Sequence, residues 1–252
     1  MAVSIKSPRE IELMRESGKI LGEVHDQLKE IIRPGISTLE IDIEAEKLIR
    51  KNGCIPNFLH YNGFPGSVCV SINEEVVHGI PKKSRILKEG DIVSLDCGCI
   101  YKGYHSDAAR TYPVGEVDPE VMKLVEETKN SFFEGIKMAK AGNHLYDISN
   151  AIDAYISQFG YGVVTALVGH GIGTSLHEDP SIPNYHMDRR GMKLQAGMTL
   201  AIEPMINLGR ADVDFLDDGW TCVTSDRLPS AHYENTILIT DGEPEVLTLP
   251  KN

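Results

Sequence analysis

The sequence is short of basic residues. Its 25 lysines and arginines stand against 37 aspartates and glutamates, a formal net charge of −12. Affinity for nucleic acid comes largely from counterion release at a cationic face, so no direct nucleic-acid partner is expected. Uninterrupted apolar stretches are also lacking. Residues 154–176 carry no Asp, Glu, Lys or Arg, but five glycines, Ser157, Gln158, Thr165 and His170 break them up. That texture argues against a membrane span. The N-terminus, MAVSIKSPREIELM, has no apolar centre of the kind a secretory signal needs. The five cysteines (Cys54, Cys69, Cys97, Cys99 and Cys222) are odd in number and irregularly spaced. They are read as reduced thiols of a cytoplasmic protein, not as a disulfide framework.

What is present suits a globular α/β chain. At 252 residues it can bury the core of one large domain. Ser7-Pro8-Arg9-Glu10 is a capping box with proline at the first helical position. Ile11, Met14, Leu21, Leu28 and Ile32 continue it as an apolar stripe. His25 lies on that stripe and is read as a core-edge histidine. Pro34-Gly35 stops this helix, and a second box, Ser37 to Glu40, opens a helix to about Asn52. Asp118-Pro119 starts a third helix, which Ala141-Gly142 ends, and a fourth spans Leu145 to Phe159. Helix, glycine break, shorter helix, glycine, strands is an order that repeats at an offset of 107 residues: Gly35 and Gly53 match Gly142 and Gly160, and Ile41 and Ile49 match Ile148 and Ile156. The expectation is a single domain, 1–252, with halves at about 1–113 and 114–252 related by a pseudo-two-fold axis. A site built from both halves would lie at their junction.

The stretch Ile92 to Tyr112 reads as two strands around Tyr101-Lys102-Gly103. A symmetric hairpin there sets Asp96 directly opposite Asp107, with Cβ atoms about 5 Å apart. Like charges so placed in an apolar strand repel, so they must share either a proton or cations. Cys97 and Cys99 alternate away from the Asp96 face and are read as core thiols.

Further acids sit in β-prone runs: Glu203 within Met198 to Ile206, and Glu234 within His232 to Thr240. Acids in such places are rarely buried unpaired. With them go His170, in Gly169-His170-Gly171-Ile172-Gly173, and His78 and His177. Four carboxylates and one imidazole suit a pair of hard or borderline divalent ions, and the scarcity of sulfur argues against a structural zinc. The competing readings are hairpin-edge charge for each aspartate and a phosphate cradle for the glycine loop. The cradle fits poorly, because the spacing is GxGxG and no helix signal follows. The acidic run Asp212 to Asp218 reads as a solvated loop.

Asp96, Asp107, Gly169-His170-Gly171-Ile172-Gly173 with His177-Glu178, Ile202-Glu203-Pro204-Met205 and Tyr233-Glu234-Asn235 resemble the ligand pattern of the type I methionine aminopeptidases. The likeness runs from the first capping box to the last strand and fits the minimal, bacterial-style form. It implies the pita-bread α/β (α+β) fold, two pseudo-symmetric halves around a curved antiparallel sheet. It implies a metallo-exopeptidase that removes N-terminal methionine from peptides and nascent chains when the second residue is small. Asp96, Asp107, His170, Glu203 and Glu234 would hold two divalent ions (Co, Mn, Fe or Zn), with Asp107 bridging. Glu203 would also relay a proton, His177 would face the developing oxyanion, and His78 would contact the peptide beyond the scissile bond. Tyr61, Phe64, Cys69 and Trp220 would line the methionine pocket. A cytoplasmic monomer with transient ribosome association is expected. Phe58, Asn62, Leu176 and Ser106 depart from the pattern, without touching a ligand position. The competing functions are a proline-directed aminopeptidase of the same fold and a non-catalytic peptide-binding relative.

Overall fold

A computed structural model describes residues 3–249. Four α-helices are found among them: α1 (Pro8–Lys29), α2 (Thr38–Lys51), α3 (Pro119–Ile136) and α4 (Leu145–Ile156). Both capping boxes form. The Ser7 N–H donates to Glu10 Oε2 at 2.7 Å, and the Ser37 N–H to Glu40 Oε2 at 2.9 Å. Two helices end earlier than the sequence suggests. α3 stops at Ile136, and α4 passes into a 3₁₀ turn at Ser157–Phe159 before Gly160.

The strands are β1 (Ile55–Pro56), β2 (Val68–Ile72), β3 (Glu75–Val77), β4 (Ile92–Tyr101), β5 (Tyr104–Pro113), β6 (Gly162–Val163), β7 (Gly169–Gly171) and β8 (Glu178–Ile182). They continue as β9 (Thr199–Ile202), β10 (Met205–Asn207), β11 (Val213–Phe215), β12 (Cys222–Thr224), β13 (Ser230–His232), β14 (Glu234–Leu238) and β15 (Glu245–Val246). Among the described residues, the main sheet runs β1-β4-β5-β14-β9-β7-β8, with β2 on β4 and β15 on β14. All its pairings are antiparallel. The run expected as one strand from Met198 to Ile206 is split at Glu203-Pro204. Proline lacks the ladder N–H, so the chain leaves the main sheet there and joins a small sheet as β10.

The hairpin register is a correction to the sequence reading. The turn is Lys102-Gly103 alone, with φ of +49° and +87°. Two central residues at positive φ make the tight turn whose twist matches the strands. Tyr101 therefore pairs with Tyr104, Asp96 with Ala109, and Gly98 with Asp107. The two aspartates are diagonal neighbours, not direct partners. The shift is an even number of residues, so both still point to one face.

α1 and α2 cover one end of the sheet, where Leu21, Val24, Ile41, Ile49, Val93, Leu95 and Cys97 form a buried cluster. α3 and α4 cover the other end through Phe132, Ile148, Ile152, Leu200, Ile202 and Ile237. His25 is buried at the first of these, with Nε2 2.9 Å from the Ala108 carbonyl. Gly35 and Gly142 have φ of +90° and +98°, and Gly53 and Gly160 have +73° and +74°. No described helix is long and apolar enough to cross a membrane. All five cysteines are free and buried.

Candidate metal centre and substrate pocket

Strand register places the acids. Cys69 on β2, Asp96 on β4, Ala109 on β5 and Glu234 on β14 lie in one row across four strands. A second row, on the same face, runs from Asp107 on β5 past Thr236 on β14 and Ala201 on β9 to His170 on β7. Directly paired residues share a face, and so do residues two apart. The two rows therefore aim Asp96, Asp107, Glu234 and His170 into one space, and the fully buried Ala109 and Ala201 leave that space open. Thr236 Oγ1 accepts from the Asp107 N–H and donates to the Asp107 carbonyl, both at 2.9 Å, fixing the backbone beneath that aspartate. Gly169 and Gly171 let β7 pass close to its neighbours. A Cβ on Gly169 would sit 2.4 Å from the Ala201 carbonyl oxygen, and one on Gly171 2.2 Å from that of Asp179.

Asp107, His170 and Glu234 each offer a ligand atom within 4.8 Å of the others. His170 Nε2 stands 3.9 Å from Asp107 Oδ2 and 3.6 Å from Glu203 Oε1. Glu203, with a side chain 14% exposed, is the most accessible of the four acids.

The donor set fits divalent cations. Asp96 Oδ1 and Glu234 Oε1 are buried without a hydrogen-bond partner. Burial pushes the Asp96 carboxyl up to about 7. Burial, and then the neighbouring acids, raise Asp107 and Glu234 well above the carboxylate range, and burial with Asp96 does the same to Glu203. Buried carboxylates this close need a counter-charge to stay ionised. His170 is prepared as a ligand. A carbonyl only accepts, so Nδ1, 2.9 Å from the Gly171 oxygen, must carry the proton, and Nε2 faces the acids as a lone pair. Burial lowers its pKa to about 4, keeping the ring neutral.

Above this floor is a cavity of about 270 Å³. Every site residue expected from the sequence lines it: the five above with His78, His177, Tyr61, Phe64, Cys69 and Trp220. Phe58, Asn62 and Leu176, the departures noted earlier, line it too, whereas Ser106 lies beneath, bonded to Ser17 Oγ at 2.9 Å. Phe64 meets Trp220 edge-on at 5.1 Å, and His78, at φ +61°, meets Trp220 at 6.4 Å. Burial lowers the pKa of both His78 and His177, so both rings are neutral at neutral pH.

The model of metallopeptidase family M24 matches residues 12–241. The chain is 53% identical to the methionine aminopeptidase of Clostridium acetobutylicum, over 98% of this chain and 99% of that one. It is 51% identical to methionine aminopeptidase 1 of Bacillus subtilis, over 96% and 98%. The crystal structure of methionine aminopeptidase from Thermotoga maritima superposes with a TM-score of 0.96 at 44% identity, covering 98% of this chain and all of that one.

The chain belongs to the methionine aminopeptidases of metallopeptidase family M24. Its fold is therefore the pita-bread fold, and it is a metallopeptidase. The Xaa-Pro dipeptidase of Bacillus anthracis shares this fold at a TM-score of 0.77 and 27% identity, with 63% of that chain covered. One residue beside this methionine aminopeptidase cavity escaped the sequence reading. His232 is 1% exposed, with Nε2 3.9 Å from both Glu203 Oε2 and Glu234 Oε2. Its only signal was its place two residues before Glu234, on the same side of the chain.

Proposed function

We propose that this protein removes N-terminal methionine from peptides and nascent chains with a small second residue, using two divalent ions held by Asp96, Asp107, His170, Glu203 and Glu234. The observation that carries this reading is the convergence of three buried carboxylates, the partly exposed Glu203 and one neutral imidazole on the floor of a pocket of side-chain size. Bound divalent ions would supply Lewis acidity to the scissile carbonyl and make a nearby water more acidic. The chain's own residues do the rest. Phe58, Phe64, Cys69, Leu176 and Trp220 enclose an unbranched thioether side chain, and hold the first peptide bond over the acids. Glu203, the acid most open to the cavity, carries a proton towards the leaving nitrogen. His177 donates to the carbonyl oxygen as charge develops there, and His78 contacts the peptide beyond the scissile bond. Cobalt, manganese, iron and zinc all suit a mixed nitrogen and oxygen donor set. The protein is read as a cytoplasmic monomer that meets its substrates near the ribosome.

The test is hydrolysis of Met-Ala-Ser and of an Ala-Pro peptide by protein that has been chelated and then reloaded with each metal in turn. Methionine release that vanishes on chelation and returns on reloading is expected. Cleavage of Ala-Pro with Met-Ala-Ser untouched would replace this reading with the proline-directed one.

A further inference from the structure

Tyr61 lies in a loop whose backbone is held unusually tightly. His60, Asn62 and Gly63 all have positive φ, at +67°, +49° and +89°. Asparagine tolerates that region better than most side chains, and glycine tolerates it freely. Four backbone hydrogen bonds close the loop: Tyr61 N–H to the Phe58 carbonyl at 2.9 Å, Gly63 N–H to His60 at 3.2 Å, Phe64 N–H to Tyr61 at 2.9 Å and His60 N–H to Phe64 at 2.8 Å. Phe64 anchors the loop in the pocket wall at 2% exposure. This backbone carries the phenol of Tyr61, a residue 37% exposed. Its oxygen is 2.8 Å from His177 Nδ1, with the two rings tilted by 48°.

A neutral imidazole has one donor nitrogen and one acceptor nitrogen. We propose that Tyr61 is a positioning residue: its hydroxyl donates to His177 Nδ1 and so keeps the proton on Nε2, the nitrogen left to face the substrate carbonyl. This rests on the role given to His177 above. The other tautomer would turn a lone pair towards an oxygen that is gaining negative charge, which repels it where a donor would stabilise it. Binding methionine requires only the apolar ring of Tyr61, whereas this role requires its hydroxyl. The two separate cleanly in Tyr61→Phe.

The experiment uses zinc-loaded full-length protein labelled with ¹⁵N in histidine. Long-range ¹H–¹⁵N spectra read the His177 tautomer, and Met-Ala-Ser hydrolysis reads turnover. In the wild type His177 is expected to be protonated at Nε2. In Tyr61→Phe that preference is lost, and kcat falls by roughly 10- to 100-fold, with KM within about twofold and metal content unchanged. Adding Tyr61→Phe to His177→Ala should cost nothing more. A wild-type His177 protonated at Nδ1 overturns the inference. So does a Tyr61→Phe variant with unaltered tautomer and kcat, or an undiminished loss in the His177→Ala background. If His177→Ala itself leaves kcat unchanged, the role of His177 fails and this inference falls with it. If His177→Ala is slow and Tyr61→Phe is not, the inference alone falls.

Discussion

Glu178 follows His177 directly and ties the histidine loop to the N-terminal segment. Its Oε1 accepts from the Ser175 N–H at 3.2 Å and the Thr174 hydroxyl at 3.4 Å, and its Oε2 from Ser4 Oγ at 3.0 Å and Lys6 Nζ at 2.8 Å. Lys6 is only 5% exposed at its side chain, and Glu178 16%. Burial alone would raise the Glu178 pKa, but the hydrogen bond and charge of Lys6, with Ser175 and Ser4, more than offset it and leave the pKa below the ordinary 4.5. A carboxyl depressed in the folded state stabilises the fold above its unfolded pKa, and that contribution fades as pH falls through the folded value. Lys6→Met should therefore cost about 1–3 kcal/mol at pH 7, because it strands a largely buried carboxylate. The difference from wild type should shrink below about pH 4.5 as the carboxyl is protonated. Urea denaturation of both proteins at pH 7 and pH 4 measures it, and a gap that is equal at both pH values contradicts the pairing.

At the scale of the strand, Ala109 sets the space between two of the proposed ligands. It lies between Asp96 and Glu234 in one row, fully buried, on the face that bears the acids. A branched side chain there would occupy the space between the two carboxylates. Ala109→Leu should lose most bound metal and turnover, and overpacking should cost about 1–3 kcal/mol of stability. Metal analysis of the purified variant beside a denaturation curve decides this. Full metal content would mean that the row does not set the spacing. This logic also explains what could be read from the sequence. Ser7, Glu10, Ser37 and Glu40 announce their helices because a capping box is a local contact. The acids could be collected because charge in an apolar strand is anomalous wherever it occurs. The hairpin register could not be fixed so readily, because it depends on Lys102 accepting φ of +49°, which a lysine does not advertise. His232 was missed for a different reason. Its place beside Glu203 comes from the fold of β13 into β14, and its position two residues before Glu234 was the one local sign of it.

At the scale of the whole molecule, the chain is read as one domain of two halves meeting where β5 pairs with β14. Asp96 and Asp107 come from the first half, and His170, Glu203 and Glu234 from the second. Each half brings its own helix pair and apolar cluster, so each is held together away from the seam. Acids from both halves press against one another across that seam. Cations placed among them would convert the repulsion into attraction and join the halves as well as serve catalysis. A ligand that binds only the folded state stabilises it by an amount set by its concentration relative to Kd, about 2.7 kcal/mol at a hundredfold excess. For a chain of this size that corresponds to a rise in Tm of about 5–10 °C. Chelated protein should therefore melt lower than loaded protein, and titrating manganese or zinc back should raise Tm progressively with metal concentration. His170→Ala should flatten that dependence, because it removes the one neutral side chain among the proposed ligands. Calorimetry on chelated and reloaded protein reads this without any substrate. A Tm indifferent to metal would mean that the acids are held apart by the fold alone, and that the two halves need no cation to stay together.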